Sequence, residues 1–277
     1  MTIAVTGATG AVGGRVARAL AADMRNDLRL VVRDPARAPD FDTDVRACEY
    51  ADHAAAVAAL AGAEVLFMVS AAEAVDRRDQ HRTFIGAAVE AGVRHVVYTS
   101  FDGAAPDATF TLGRDHADAE AAIRGSRMAF TFLRDNFYLD VLPYFADADG
   151  VIRGPAGDGR FAPVARADVA DAAVAVLRDP GPHAGVAYTL TGPESLTMAE
   201  VAARAGAVLG RDLRFEDETE EAAYAWRREQ YGAADWQLDA WVSTYTAIRD
   251  GSLAAVSDGV ALLTGHPARS LEETLGG

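Results

Sequence analysis

The chain has 277 residues, half of them apolar, and carries a formal net charge of −15. This length and composition suit one large α/β domain or one with a small appendage, and the negative charge argues against binding to nucleic-acid phosphates, which requires clustered positive charge. All 26 positively charged residues are arginine, so Schiff-base chemistry and activation of a hydroxyl by a lysine ammonium are excluded.

A glycine-rich turn follows the first predicted strand. The apolar run Thr2 to Thr6 predicts a buried strand, and Val12 to Ala22 has the period of a helix. Gly7, Gly10 and Gly13 lie at the turn in a GxxGxxG spacing, a relative of the GxGxxG fingerprint of dinucleotide-binding folds. A side chain at the turn would obstruct a pyrophosphate, and one at the third glycine would hold the helix away from the strand. The first helix amides then point at the phosphates, so the turn predicts a dinucleotide site.

Strands and helices alternate through the first half of the chain. Residues rich in β-forming side chains occupy 28–32, 45–49, 65–69, 96–100 and 130–133. This alternation predicts an α/β fold with a doubly wound parallel sheet, in which ligands bind beyond the carboxyl ends of the strands. The apolar stretch 54–72 contains Glu64, so we expect a helix end, a turn and a strand there, and no membrane span.

The cysteine content bears on compartment and metal binding. Cys48 is the only cysteine, which excludes an internal disulfide and a multi-cysteine metal site and is compatible with a reducing cytosol. No charged segment followed by an apolar one precedes the first strand, as a signal peptide would require. We therefore expect a cytoplasmic protein without a bound metal.

The second half of the chain changes character. A further strand is predicted over 186–191, and Thr197 with Glu200 forms a capping box for a helix that ends at Gly210. From Glu216 onward the chain is acidic and aromatic, and it contains all three tryptophans. This composition predicts either a helical lid on the ligand edge of the sheet or a small core of its own.

Arg33 follows the second predicted strand at the position where such folds contact the adenosine ribose. An acidic residue there would accept a hydrogen bond from a 2′-hydroxyl, whereas arginine offers a charged fork to a 2′-phosphate, so NADP(H) is preferred over NAD(H). Asp34 weakens this argument and Arg37 supports it, and a solvated arginine without a ligand is the alternative. Asp52 predicts either an adenine contact or the N-cap of a helix over 54–60.

Several short motifs occur in a characteristic order. They are Thr6–Gly13, Val32–Pro35, Tyr98–Ser100, His116–Glu120, Thr131–Asn136 and Arg166–Asp171. Together they resemble the NmrA-like atypical short-chain dehydrogenases, and within them the NAD(P)H:quinone oxidoreductase type 2 group, also described as NAD(P)H azoreductases. The resemblance implies an NAD(P)-binding Rossmann domain over 1–185 and a smaller, α-rich C-terminal substrate region over 186–277, interleaved with the core.

The resemblance also implies which residues bind the cofactor. The implied pyrophosphate contacts are Gly7, Thr9, Gly10, Ala11, Val12 and Gly13. Arg33 is implied at the ribose and Asp52 at the adenine. The implied contacts near the nicotinamide are Ser70, Ala71, Thr99, Ser100 and His116.

Typical short-chain dehydrogenases use a Tyr-x-x-x-Lys pair, and alignment with that family places Leu112 and His116 at the two positions. Alcohol oxidation needs a base for the hydroxyl proton and is therefore unfavourable here, whereas reduction of an electrophilic acceptor such as a quinone remains feasible. The ordinary pKa of histidine suits His116 to deliver a proton, and a ribose hydrogen bond without proton transfer is the alternative. Glu120, one helical turn later, would orient His116 or face solvent.

Two further catalytic candidates, Asn136 and Tyr138, follow the strand that ends at Arg134. Asn136 would bind the carboxamide or an acceptor oxygen, or cap a helix. The candidates to stack on a planar aromatic acceptor, or to fill a core instead, are Phe101, Phe110, Phe137 and Tyr138.

These features predict an NADPH-dependent reductase that transfers hydride to a quinone-like or azo acceptor. Its partner is then a small aromatic molecule and neither nucleic acid nor membrane, and a homodimer is left open. One alternative is a non-catalytic NADP(H)-sensing regulator, as some NmrA-like proteins are, that binds a protein partner. Another is a reductase of a different activated C=C or C=N bond.

Overall fold

The computed structural model describes residues 1–23 and 27–276. The strands are β1 (Thr2–Thr6), β2 (Asp27–Val32), β3 (Asp44–Ala47), β4 (Val65–Met68), β5 (His95–Phe101), β6 (Ala129–Asp135), β7 (Val151–Gly154), β8 (Arg160–Phe161), β9 (Val186–Leu190), β10 (Leu196–Thr197) and β11 (Arg214–Asp217). The helices are α1 (Ala11–Asp23), α2 (His53–Leu60), α3 (Arg77–Glu90), α4 (Thr111–Gly125), α5 (Arg166–Arg178), α6 (Met198–Leu209), α7 (Glu220–Tyr231), α8 (Asp235–Arg249), α9 (Gly259–Thr264) and α10 (Leu271–Gly276).

The large sheet has, within the described residues, seven strands in the order β3-β2-β1-β4-β5-β6-β9. β1 pairs in parallel with both β2 and β4, and the pairs β2–β3 and β4–β5 are parallel as well. The order of the strands reverses between β1 and β4, which is where open α/β sheets bind their ligands. The predicted doubly wound α/β fold is confirmed.

The apolar patterns explain why these segments form the sheet and its covering helix. β4 and β5 are buried along their whole length, as expected for strands covered on both faces. α1 is amphipathic and buries Val12, Val16 and Leu20. This packing holds the first amides of α1 directly after the carboxyl end of β1.

The chain divides into two compact units that alternate along the sequence. The first comprises 1–100, 115–134 and 169–188, and the second comprises 101–114, 135–168 and 189–277. The first unit carries most of the large sheet. The predicted division at residue 185 stays a prediction, and the compact units differ from it because two earlier segments of the chain belong to the second unit.

The second unit contains two small sheets and most of the later helices. β8 pairs with β10 in antiparallel orientation, and β7 pairs with β11 in parallel. The capping box that the sequence predicts at the start of α6 is confirmed, and Gly210 ends that helix in the left-handed conformation. In α7 and α8 the ring of Tyr231 packs edge to face on Trp226 and Trp241, with centroids 5.7 and 5.5 Å apart.

The apolar stretch around Glu64 resolves as the sequence predicts, into α2, a turn at Gly62 with φ +81°, and β4. No helix among the described residues is long and apolar enough to cross a membrane. Cys48 is buried, and this burial raises the pKa of its thiol to about 11. The thiol is therefore a poor nucleophile.

Candidate functional site

The glycine turn joins the end of β1 to the start of α1. Gly7 has φ +64°, and a Cβ there would lie 3.0 Å from Cβ of Val69. A Cβ on Gly13 would lie 2.3 Å from the carbonyl oxygen of Gly7, closer than real Cβ contacts come. Gly10 is exposed on the turn and donates its amide to the Gly7 carbonyl over 2.8 Å. The three glycines therefore let the backbone form a tight turn between β1 and α1, and at these positions no side chain obstructs the space above the turn. We call this turn the cradle.

The start of α1 presents hydrogen-bond donors at this cradle. The first bond of the helix ladder runs from the Gly14 amide to the Gly10 carbonyl over 2.9 Å, so the amides of residues 11–13 have no acceptor within the helix. Thr9 and Ala11 are exposed, whereas the Val12 side chain is buried and only its backbone faces the turn. Such amides, with the positive end of the helix dipole, bind anions.

A cavity of about 530 Å³ opens beside the turn. Its lining residues are Ala8, Thr9, Gly10, Ala11, Gly14, Arg15, Arg18, Arg37 and Pro39. Within 1–23 and 27–276, the guanidinium groups of Arg15 and Arg37 form no ion pair, and Arg18 lies over the ring of Phe41 at 5.8 Å. In a chain of net charge −15, such a cluster favours an anionic ligand. The cradle, the free amides and this cavity together fit a dinucleotide.

Tyr50 secures the strand ends beneath the turn. Its hydroxyl lies 2.6 Å from Oγ1 of Thr6 and 2.7 Å from the carbonyl oxygen of Val69. Thr6 Oγ1 also accepts from the Val69 amide over 2.9 Å. Because β1 and β4 flank the point where the strand order reverses, these bonds set the spacing of the two strand ends under the cofactor cradle.

The residues predicted at the adenosine end are exposed. Arg33 directly follows β2 but is not among the residues that line the cavity. The carboxylate of Asp34 accepts from the Ala36 amide over 3.0 Å and caps a short helical turn, so it is engaged locally. Asp52 accepts from the Ala55 amide over 3.0 Å and caps α2, which confirms the N-cap interpretation. The adenine contact stays a prediction.

The residues predicted at the nicotinamide end lie where β4 and β5 end. The Ser70 amide donates to Thr99 Oγ1 over 2.9 Å. The Ala71 amide donates to Nε2 of His81 over 2.9 Å, and the Ala71 carbonyl accepts from Nε of Arg77, also over 2.9 Å. The loop after β4 is therefore held from two sides.

Ser100 is buried and its hydroxyl donates to Glu120 over 2.7 Å. The carboxylate of Glu120 also accepts from Nε and Nη2 of Arg134 over 2.8 and 2.6 Å. Burial raises the pKa of Glu120, but Arg134, Ser100 and Arg124 outweigh it and hold the pKa below its ordinary value. The expectation that Glu120 orients His116 or faces solvent is wrong, because this carboxylate is buried among other partners.

His116 is buried on α4. Its Nε2 lies 3.1 Å from Nη2 of Arg77, and its Nδ1 lies 3.1 Å from the hydroxyl of Tyr98. Burial, together with the positive charge of Arg77, holds the pKa of the imidazole well below its ordinary value. The expectation of an ordinary pKa at His116 is therefore wrong, and the ring is neutral at pH 7.

Asn136 is buried and its amide group is fully engaged within the second unit. Its Nδ2 donates to Asp102 Oδ2 over 3.2 Å and to the Leu253 carbonyl over 3.1 Å, while its Oδ1 accepts from the Phe137 amide over 2.8 Å. These bonds connect three separate parts of the chain. They occupy the amide donors that a carboxamide or an acceptor oxygen would need, and the catalytic role of Asn136 stays a prediction.

The predicted aromatic residues of the second unit come together. The rings of Phe101, Phe110 and Phe137 lie with centroids 4.8 to 5.1 Å apart and form part of an apolar core. The hydroxyl of Tyr138 donates to the carboxylate of Asp135. Burial and this carboxylate raise the pKa of Tyr138 well above its ordinary value, so its proton stays on the phenol at neutral pH. Phe101 and Phe110 also line a cavity of about 50 Å³.

Sequence reasoning missed Arg77 and His81. Both are buried, and they continue the face of α3 on which Phe84 and Ala88 are buried. Positions 77, 81, 84 and 88 recur at helical spacing. The signal that the sequence offered for Arg77 and His81 was their position on the apolar face of a predicted helix, where a polar residue is unusual.

The sheet order, the glycine cradle and the anion-binding cavity define a dinucleotide-binding α/β protein. A family model described as NAD(P)H-binding matches residues 7–180. The chain belongs to this NAD(P)H-binding family.

Similar proteins narrow the group further. Quinone oxidoreductase 2 of Escherichia coli is 33% identical over 282 residues, covering 99% of this chain and 97% of that protein. NAD(P)H azoreductase of Xenophilus azovorans is 33% identical over 277 residues, covering 98% and 96%. The solved NADPH complex of the NADPH-dependent quinone oxidoreductase from Escherichia coli matches with a TM-score of 0.89 at 32% identity, covering 99% of this chain and 98% of that one. The resemblance to the quinone oxidoreductase type 2 group is confirmed, and the chain is an NAD(P)H-dependent oxidoreductase.

Proposed function

We propose that this chain is an NADPH-dependent reductase that passes hydride to a quinone-like or azo acceptor without a tyrosine and lysine pair. The observation that carries the cofactor part is the arginine-lined cavity beside the glycine turn. A pyrophosphate needs the helix amides, and the guanidinium groups of Arg15, Arg18 and Arg37 provide additional positive charge that suits a further phosphate. Arg33 directly follows β2 and precedes the short helical turn Pro35–Arg37 in the chain.

The chain's own residues have separate tasks in this proposal. The backbone of residues 7–13 and the start of α1 would hold the pyrophosphate, and the arginines would hold the ribose 2′-phosphate. Ser70, Ala71 and Thr99 would border the nicotinamide. NADPH, when bound, would supply the hydride from its nicotinamide ring.

The acid and base groups support an acceptor that is already electrophilic. The chain contains no lysine, and His116 is a buried neutral imidazole whose Nε2 faces a guanidinium. Removing a proton from an alcohol requires a base of suitable pKa within reach, and these residues do not provide one. A quinone or an azo compound accepts hydride without strong prior protonation and takes its proton from water.

The names of similar proteins support the same acceptor classes. Relatives covering nearly the whole chain are named a quinone oxidoreductase and an azoreductase, and a solved triphenylmethane reductase from Citrobacter matches with a TM-score of 0.85 at 29% identity over 99% of this chain and 98% of that one. All three names denote reduction of conjugated compounds. We therefore place the physiological acceptor of this chain among small, conjugated aromatic molecules.

The test is oxidation of NADPH by purified protein in the presence of a quinone, an azo dye and an enone, followed by nicotinamide absorbance. We expect turnover with the quinone or the azo dye, and faster turnover with NADPH than with NADH. Arg33→Ala should reduce the preference for NADPH, while Arg211→Ala, an exposed arginine of the second unit, should not. Binding of NADPH without oxidation by any acceptor would contradict the reductase and favour a dinucleotide-sensing protein.

A further inference from the structure

Arg77 is a buried cation at the first turn of α3. Its Nε donates to the Ala71 carbonyl over 2.9 Å, its Nη1 lies 3.5 Å from Asp115 Oδ2, and its Nη2 lies 3.1 Å from Nε2 of His116. Burying a guanidinium costs free energy unless its N–H groups form hydrogen bonds or ion pairs inside the protein. Nε thus holds the loop after β4, while Nη1 and Nη2 face neighbouring residues of α4, so one side chain connects that loop with α4.

His81 completes the hold on the loop from the same face of α3. It lies one helical turn after Arg77, and its Nε2 accepts from the Ala71 amide over 2.9 Å. α3 therefore binds both the amide and the carbonyl of residue 71. The remaining ring nitrogen of His81, Nδ1, is buried without a hydrogen-bond partner among the described residues. Leaving this buried nitrogen unsatisfied costs free energy, which indicates that the bond between His81 and the Ala71 amide is kept despite that cost.

The same guanidinium selects the tautomer of His116. Arginine has only donors, so Nε2 of His116 must accept, and the proton of the neutral ring resides on Nδ1. That N–H faces the hydroxyl oxygen of Tyr98 at 3.1 Å. A proton on Nε2 would instead face the N–H of Arg77, which cannot accept it. The charged and titratable groups around this ring are Arg77 and His81 of α3, Tyr98 of β5 and the neighbouring Asp115 of α4.

We propose that Arg77 is the positioning residue of the hydride-transfer site: it fixes the peptide of Ala71 and the neutral, Nδ1-protonated ring of His116 as one rigid border. The inference rests on the proposed function, because that function assigns Ala71 and His116 to the nicotinamide end of the cofactor. In this role Arg77 is assigned no contact with cofactor or acceptor. It acts through residue 71 and through the ring whose hydrogen-bonding pattern it sets.

The chain offers a matched control next door. Arg78 pairs with the other oxygen of the same carboxylate, with 2.5 Å between its Nε and Asp115 Oδ1, but its side chain is about half exposed. Arg77→Gln removes the bonds to Ala71 and His116, and Arg78→Gln removes only a pairing with Asp115. Misplacement of a reacting group by about 1 Å costs up to roughly a hundredfold in rate, so we expect kcat to fall by roughly tenfold to a hundredfold in Arg77→Gln and less than about twofold in Arg78→Gln.

Nitrogen NMR of the histidine rings in the cofactor-free protein tests the tautomer separately from turnover. We expect the His116 ring of the wild type and of Arg78→Gln to be the Nδ1–H form and not to titrate between about pH 5 and 8. In Arg77→Gln the ring should become a mixture of tautomers with a higher pKa, since the opposing charge is gone. If Arg77→Gln does not fold, Arg77→Lys serves instead, because a single ammonium cannot reach Ala71 and His116 with separate nitrogens.

Two results would overturn the inference. One is a wild-type ring protonated on Nε2, and the other is an Arg77 variant whose kcat and ring spectrum match those of Arg78→Gln. Failure of the proposed function looks different: the wild type would bind NADPH but would not oxidise it with any acceptor. The NMR comparison would still show whether Arg77 sets the tautomer of the His116 ring.

Discussion

Replacing Gly13 by alanine tests the packing that creates the cofactor cradle. The added methyl would lie 2.3 Å from the carbonyl oxygen and 2.6 Å from the carbonyl carbon of Gly7, and 2.7 Å from the carbonyl oxygen of Thr6. All three are backbone atoms, so no flexible side chain can move aside. Ordinary contact of about 3.5 Å therefore requires the start of α1 to shift by about 1 Å away from β1.

The shift affects stability and cofactor binding by different amounts. Overpacking of this kind costs about 1 to 3 kcal/mol of unfolding free energy, which for a chain of this length lowers Tm by roughly 2 to 6 °C. The same displacement moves the amides of residues 11–13 beyond hydrogen-bond distance of a phosphate. Each lost bond to a charged group is worth about 1.5 to 3 kcal/mol, so affinity for NADPH should fall by roughly tenfold to a hundredfold or more.

Titration calorimetry with NADPH and thermal unfolding of Gly13→Ala measure the two effects. Gly86→Ala is the matched control, since Gly86 lies inside α3 and its added methyl would meet only His53 Nε2 at 3.9 Å. There we expect a gain of about 0.5 to 1 kcal/mol and unchanged affinity. Wild-type affinity and Tm in Gly13→Ala would refute the claim that close packing of helix on strand reserves this position for glycine.

Three further outcomes are expected. The double variant Arg15→Ala, Arg37→Ala should bind NADPH roughly tenfold to a hundredfold more weakly while NADH binding changes little, because only the 2′-phosphate loses charged donors. Equal losses of affinity for both cofactors in calorimetry would show that the 2′-phosphate binds elsewhere. The unfolding free energy should decrease as pH falls from about 6.5 towards 3, by up to about 1.4 kcal/mol per pH unit. The reason is that burial and Arg77 lower the pKa of His81 to about 3 in the folded state, so the unfolded chain binds more protons in this range. Urea titrations of His81→Gln should show a shallower pH dependence, and an unchanged slope would speak against this assignment. Cys48, whose thiol pKa is raised to about 11, should react slowly with a thiol reagent at pH 8 in the folded protein and rapidly in urea, and rapid reaction in both would contradict its burial.

Much of the fold was predictable because its determinants are local. Each of the seven strands of the large sheet matches a strand segment predicted from the sequence. The capping box of Thr197 and Glu200 and the stop at Gly210 depend on residues only a few positions apart. The cap at Asp52 follows for the same reason. Such features need no knowledge of distant contacts.

The candidate site was predictable only in part. The glycine turn was identified from spacing, and its clash geometry follows from backbone constraints that the sequence expresses as missing side chains. The partners of the buried polar groups were not identified: Glu120 binds Ser100 and Arg134, and His116 faces Arg77 from 39 positions away. Their pKa values follow from these partners, which no local pattern contains.

The sequence by itself determined an α/β sheet with a dinucleotide turn after its first strand, and a chain without lysine chemistry, because spacing and composition act within a few residues or over the whole chain. Only the tertiary structure decided that His116 is neutral, that Asn136 binds the carbonyl of Leu253 from 117 positions away, and that Arg77 holds the loop after β4. The physical reason is desolvation: burial makes each of these polar groups depend on the partners that the fold brings to it, and most of those partners come from distant parts of the chain.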